Sequence, residues 1–134
     1  MIRLFVIFTL LTCAFLKTKA QVVLNTDTAG LSTVSDNIYN RLVAGDSLVS
    51  SFMITIKKEV RPHKHNTHSE HVLVVDGVAE MLLGDKRFMI KKGDLIFIPK
   101  GTIHSVKNSG TPPLRVLSIQ APMFDGKDRV MIDK

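Results

Sequence analysis

The sequence predicts an all-β chain, either a barrel or a sandwich, and three observations carry this. Short runs rich in β-branched and apolar residues recur from Leu48 onward. Turns of Gly, Asp and Pro divide them at close intervals. No stretch keeps a helical period over about eleven residues. At 134 residues the chain suits one domain.

Taken in order, residues 1–20 read as a secretory signal peptide. Arg3 supplies the positive start, residues 4–16 form an apolar run, and Thr18-Lys19-Ala20 precedes the expected cleavage at Gln21. That run is short for a membrane span, which needs about 20 residues. The expectation is a periplasmic or secreted protein with no membrane attachment after cleavage. Cys13 is the only cysteine, so the processed chain would have no disulfide and no thiol nucleophile. Processing would also remove Arg3, Lys17 and Lys19 and lower the formal charge from +6 to +3. The remaining basic residues are scattered, and the chain has no Trp and a single Tyr. Nucleic-acid binding lacks its basic stripe and its stacking aromatics.

Residues 21–47 form a polar lead-in with room for an edge strand, and the barrel is expected over residues 48–134. Residues 48–56 are the first strong strand, with Val49, Phe52, Ile54 and Ile56. Residues 57–61 are charged and read as a solvated strand end before Pro62. Residues 72–75 run into Asp76-Gly77, a hairpin signal, and residues 78–83 return. Gly84-Asp85 turns again into residues 86–90. Residues 95–98 are apolar on both faces and are broken by Pro99-Lys100-Gly101. Residues 103–106 resume the strand, and residues 114–120 are the last strong one.

Four of the five histidines lie between His63 and His71, a concentration that suits a metal site better than a surface loop. His63 and His65 are two apart, so on a strand they share a face. Glu70 can reach back after a short turn, and His104 would complete a set of three histidines and one carboxylate. Such a set leaves coordination positions open. His68 is ambiguous. It could replace a ligand or support one, and a rim position on the turn is the preferred reading. His71 has the opposite strand parity to Glu70 and should point away. Met53, Met81 and Met89 read as core filler.

Two spaced motifs sharpen this. His-x-His-x4-Glu-x6-Gly is read at His63, His65, Glu70 and Gly77; Gly-x5-Pro-x-Gly-x2-His-x3-Asn is read at Gly93, Pro99, Gly101, His104 and Asn108. Together they resemble the two motifs of the cupin superfamily, across roughly residues 49–121. The resemblance implies a single antiparallel jelly-roll barrel. It also implies a divalent transition metal (Fe, Mn, Ni, Zn or Cu) held by His63, His65, Glu70 and His104. The family's first motif usually opens with Gly where Lys57 stands here, which weakens a turn and touches no ligand.

The resemblance does not choose a reaction, because one fold hosts many functions. The leading expectation is a metal-dependent enzyme, an oxidoreductase, isomerase or lyase, acting on a small oxygen-bearing molecule. The alternative is a non-catalytic barrel that binds a small molecule or the metal itself. A metal serving stability alone is a third reading. Ser69-Glu70-His71, with Leu117-Ser118-Ile119-Gln120, looks like the cupin domain of fused mannose-6-phosphate isomerases, though an exported protein would rarely meet sugar phosphates. Catalytic residues beyond the ligands are not evident, and a homodimer is left open.

Overall fold

A computed structural model describes residues 22–31 and 35–132. The signal peptide expected at residues 1–20 lies outside the described residues. Ten strands are present: β1 (Ile38–Gly45), β2 (Ser50–Ile56), β3 (Glu59–Lys64), β4 (Ser69–Asp76), β5 (Val78–Leu83), β6 (Lys86–Lys91), β7 (Leu95–Ile98), β8 (His104–Asn108), β9 (Leu114–Ala121) and β10 (Val130–Met131). They form two five-stranded antiparallel sheets, in the orders β1-β2-β9-β4-β7 and β10-β3-β8-β5-β6. The sheets face each other as a jelly roll.

Alternation along the strands sets what lies between the sheets. On β9, Leu114, Val116, Ser118 and Gln120 all point inward and are buried. Ile56, Val74, Ala79, Met81, Ile90, Ile96 and Ile98 join the two apolar members of that row in the core. The row turns polar at Ser118, and this marks the end of the barrel where the site is built.

The first sheet begins at Ile38, earlier than the strand signals at Leu48. β1 pairs along β2 at the sheet edge, inside the lead-in where an edge strand had room, and its mixed residues, Asn40 and Arg41 among them, form no apolar run of their own. Ahead of β1, residues 25–31 lie over the outer face of β2 and β9. Thr55 donates to Gly30 O at 2.6 Å, and Arg115 Nη2 donates to Thr26 O at 2.5 Å and Ala29 O at 2.6 Å. This covering explains why Met53, Thr55 and Arg115 are buried on a face that would otherwise be wet. β3 also contradicts the expected solvated strand end. It runs through residues 59–64 and pairs with β8, because its charged residues face outward while Val60 and His63 face inward.

The hairpin at Gly77 is the tightest turn. Gly77 has φ +87°, and a Cβ there would stand 2.9 Å from Leu114 Cα and 3.0 Å from Pro113 O. Gly84 shares the left-handed backbone, φ +62°, but has open space around it. Gly77→Ala should therefore destabilise the fold by about 2–3 kcal/mol, combining backbone strain with a clash against main chain. Gly84→Ala should cost only about 1 kcal/mol. Urea unfolding of both variants checks this, and equal losses would show that the approach to Leu114 is not limiting.

Candidate metal centre

A bulge places the histidines. Val60 and His63 are an odd number of residues apart, so a regular strand would put them on opposite faces. The pairing of β3 with β8 slips between Val60 and His63, where Pro62 offers no N–H to the ladder. After the slip, His63 sits directly opposite His104 and both face inward. His65 follows two residues later on the same side. Glu70 enters from the other sheet, on β4 opposite Gln120 of β9. His71 turns outward and lies against Phe97, its ring centroid 4.8 Å away.

The ligand atoms of His63, His65 and His104 lie within 4.8 Å of one another, and all three residues are buried. Each ring is held from behind. His63 Nδ1 faces Arg61 O at 2.9 Å, His104 Nδ1 faces Thr102 O at 2.9 Å, and His65 Nδ1 faces Asp128 O. A carbonyl only accepts, so each Nδ1 carries a hydrogen and each Nε2 is turned to the cluster. His104 Nε2 is buried there without a hydrogen-bond partner.

Glu70 completes the cluster. Its Oε1 accepts from Ser118 Oγ and from Gln120 Nε2 at 3.5 Å. Its Oε2 stands 3.6 Å from His65 Nε2 and 3.5 Å from His104 Nε2. These separations are long for hydrogen bonds. They are close to the roughly 3.0–3.4 Å expected between ligands of one ion at bond lengths near 2.1 Å. The orphaned His104 nitrogen, the shared tautomer and these spacings fit a divalent metal, and the three-histidine cluster could hold one.

The electrostatics agree. Burial pushes the Glu70 carboxyl up, but the facing His104 and His65 rings and the Ser118 hydroxyl outweigh it and hold the group below the usual carboxylate range. Burial pushes His63 down to about 3, helped by the neighbouring His104 and Arg129. At His65 burial also acts downward, but the bonds to Glu70 and to the Asp128 carbonyl prevail and raise it.

His68 departs from the rim position expected for it. It is only 5% exposed and lies outside the cluster. Its Nδ1 meets Asp128 Oδ2 at 2.5 Å and its Nε2 meets Met123 O at 3.0 Å. Asp128 also accepts from the backbone N–H of Asn66, Thr67 and His68 and from the Thr67 hydroxyl. Those bonds lower its pKa against the opposing effect of burial. One residue of the C-terminal segment thus fixes the whole turn between His65 and Glu70. Sequence reasoning missed Asp128, and nothing around it signals the role. It named Ser118 and Gln120 only as part of a resemblance and gave them no role, although two polar residues on an otherwise apolar alternating face were a readable sign.

A cavity of about 150 Å³ opens beside the cluster. His63, His65, Glu70 and His104 form its polar end, while Ile54, Ile56, Val72, Met81 and Val116 contribute aliphatic walls. Phe124 packs edge-on against His65, ring centroids 5.5 Å apart.

Long-range proton–nitrogen NMR of the metal-free protein tests the hydrogen placement. His63 should stay the neutral Nδ1–H form down to about pH 4, given its depression to about 3, and His65 should titrate above its ordinary 6.5. A His63 that titrates near 6.5, or that carries its hydrogen on Nε2, would contradict this geometry.

Comparison with known proteins bears on the fold. The Cupin_2 family model, a cupin domain, matches residues 52–120. An uncharacterized protein of Aquifex aeolicus (strain VF5) is 35% identical over 85 residues, spanning 63% of this chain and 69% of that protein. The mannose-1-phosphate guanylyltransferase RfbM of Salmonella typhimurium (strain LT2) is 29% identical over 94 residues, which is 69% of this chain but 20% of that enzyme. Among solved structures, a conserved protein with a double-stranded beta-helix domain from Klebsiella pneumoniae superposes with a TM-score of 0.72 at 20% identity, over 86% of this chain and 100% of that one. KdgF from Halomonas sp. superposes with a TM-score of 0.64 at 23% identity, over 70% and 88%. At such identities the structures speak to the fold alone. The jelly roll, the two motifs and the family match agree, and the chain belongs to the cupin family.

Proposed function

We propose that this cupin is a metal-dependent enzyme acting on a small oxygen-bearing molecule, with His63, His65, Glu70 and His104 holding a divalent transition metal. The observation that carries the reading is the buried, unpartnered His104 Nε2 facing Glu70 Oε2 and the other two histidines. A buried acceptor without a partner is costly, and a cation removes that cost. The donor set of nitrogen and carboxylate oxygen suits iron, manganese, nickel, copper or zinc. A bound ion would polarise an oxygen of the substrate in its open coordination positions. The chain's own residues do the rest. Thr102, Arg61 and Asp128 carbonyls orient the rings, Ser118 and Gln120 hold Glu70, and the aliphatic walls keep water from the polar end.

A non-catalytic binding barrel is the second reading. It is favoured by the cavity lining, where, among the described residues, Arg129 is the only ionisable side chain besides the four proposed ligands. Arg129 is a poor general base, so acid–base work would fall to the ligands or to substrate groups. The guanylyltransferase likeness covers a fifth of that enzyme and brings no activity here.

His63→Ala, His65→Ala and His104→Ala should each strip most metal from protein purified without a histidine tag. Asp128→Ala, which loosens the turn behind His65, should weaken affinity about 10 to 100-fold. Elemental analysis and chelator competition read both effects. Full metal content in the three histidine variants would remove the metal reading.

The pH dependence has a definite sign. His63 binds a proton less readily folded than unfolded, so its contribution to stability is full above 6.5 and is lost as pH falls toward about 3. The raised His65 acts oppositely: its contribution is present below 6.5 and is lost as pH rises through the raised value. Protons compete with a metal for the ligand histidines, so affinity should fall as pH drops from about 7.5 to 5. At 100-fold saturation the ion should stabilise by about 2.7 kcal/mol. Melting curves with and without metal should therefore converge toward acid, and a gap of constant size across that range would argue against these ligands.

A further inference from the structure

We infer that the cavity beside the histidine cluster takes a small hydroxy acid, with its carboxylate toward Arg129 and its hydroxyl on Gln120 Oε1. This deepens the proposed function and rests on it for the ion at the polar end.

Arg129 lines the cavity, and no hydrogen bond or ion pair is made by its guanidinium among the described residues. Burial lowers its pKa; Glu70 opposes this, and the nearby Arg61 adds to it. Arg129 is an exposed residue at the edge of the cavity, so its guanidinium can meet an anion there. A carboxylate matches the forked donors of arginine with two parallel hydrogen bonds. The wider charge balance points the same way. Among the described residues, Glu70 is the only acid lining the cavity. With neutral ligand histidines, a divalent ion and Arg129, the pocket would carry about +2, which draws anions.

Gln120 supplies the second contact. It is 6% exposed, and its Nε2 already faces Ser118 Oγ at 3.3 Å and Glu70 Oε1 at 3.5 Å. Its Oε1 is buried without a partner in a residue that lines the same cavity. That oxygen only accepts, so it calls for a ligand hydroxyl. Aliphatic side chains make up most of the remaining wall, beside Asn40, Ser105 and Phe124, and suit a short carbon chain. A cavity near 150 Å³ is about the size that holds benzene in another protein, so the ligand has on the order of six to ten non-hydrogen atoms.

Calorimetric titration of the full chain loaded with zinc tests this. The probes are lactate, 3-hydroxybutyrate and 4-hydroxybenzoate, each beside its neutral amide and its hydroxyl-free acid. At least one acid should bind about tenfold or more tighter than its amide. The same acid should bind about fivefold tighter than its hydroxyl-free form. Arg129→Gln should erase the preference for acid over amide with zinc content unchanged. Gln120→Leu should erase the preference for the hydroxyl; because Gln120 also touches Glu70, the comparison of ligands on the unaltered protein stands without it. If zinc binds but every acid and amide bind alike, or Arg129→Gln keeps the preference, the inference is overturned and the metal reading survives. If zinc does not bind, the metal reading falls. The same titrations on the metal-free chain then decide the anion site, and loss of the acid preference there overturns it too.

Discussion

The buried carboxylate of Glu70 is the constraint on which the rest depends. At 6% exposure an ionised group loses several kcal/mol of hydration, and only close partners can return it. Ser118 and Gln120 satisfy one oxygen from the neighbouring strand. The other oxygen is left to His65 and His104 across the barrel. Neither sheet could hold this charge alone. The carboxylate comes from one sheet, His63 and His104 come from the other, and His65 comes from the turn after β3. The polar cluster therefore ties the two layers together at an end where the aliphatic core has given out.

Register makes the tie workable. Without the slip at Pro62, Val60 and His63 could not both face inward, and either the apolar wall or the histidine would be lost. The same slip sets His63 opposite His104 and brings the rings to a centroid separation of 4.2 Å. Two imidazoles that close could not both be charged. Burial and this neighbour account for the depression of His63, and the Glu70 carboxylate explains why His65 moves the other way. Opposite shifts in adjacent rings are what one buried negative charge, reached by one ring and not the other, should produce.

How much of this was legible depends on how local the cause is. β5 and β7 read directly, because the Asp76-Gly77, Gly84-Asp85 and Pro99-Lys100-Gly101 turns fix them over a few residues. The four clustered polar residues were legible from spacing, since strand parity puts His63 and His65 together and the motifs supply Glu70 and His104. β3 was hidden because its inward face carries His63 where a core strand would carry an aliphatic residue. β10 has two residues, and its pairing with Lys64 and His63 is its only definition. His68 was misread for the same reason that Asp128 was missed. Its burial depends on a residue about sixty positions away, joined to it only in the folded chain.

The division of labour along the chain bears on what can be carried over from relatives. The family match ends at residue 120 and contains all four clustered polar residues. Phe124, Asp128 and Arg129 lie beyond it, and Ile38 and Asn40 lie before it. Yet Ile38, Asn40, Phe124 and Arg129 line the cavity, and Asp128 holds the turn behind His65. The shared region thus builds the barrel and the polar cluster, while the flanking segments shape the cavity beside it. Likeness over that region speaks to the fold and is silent on any molecule that the flanking segments would help to bind.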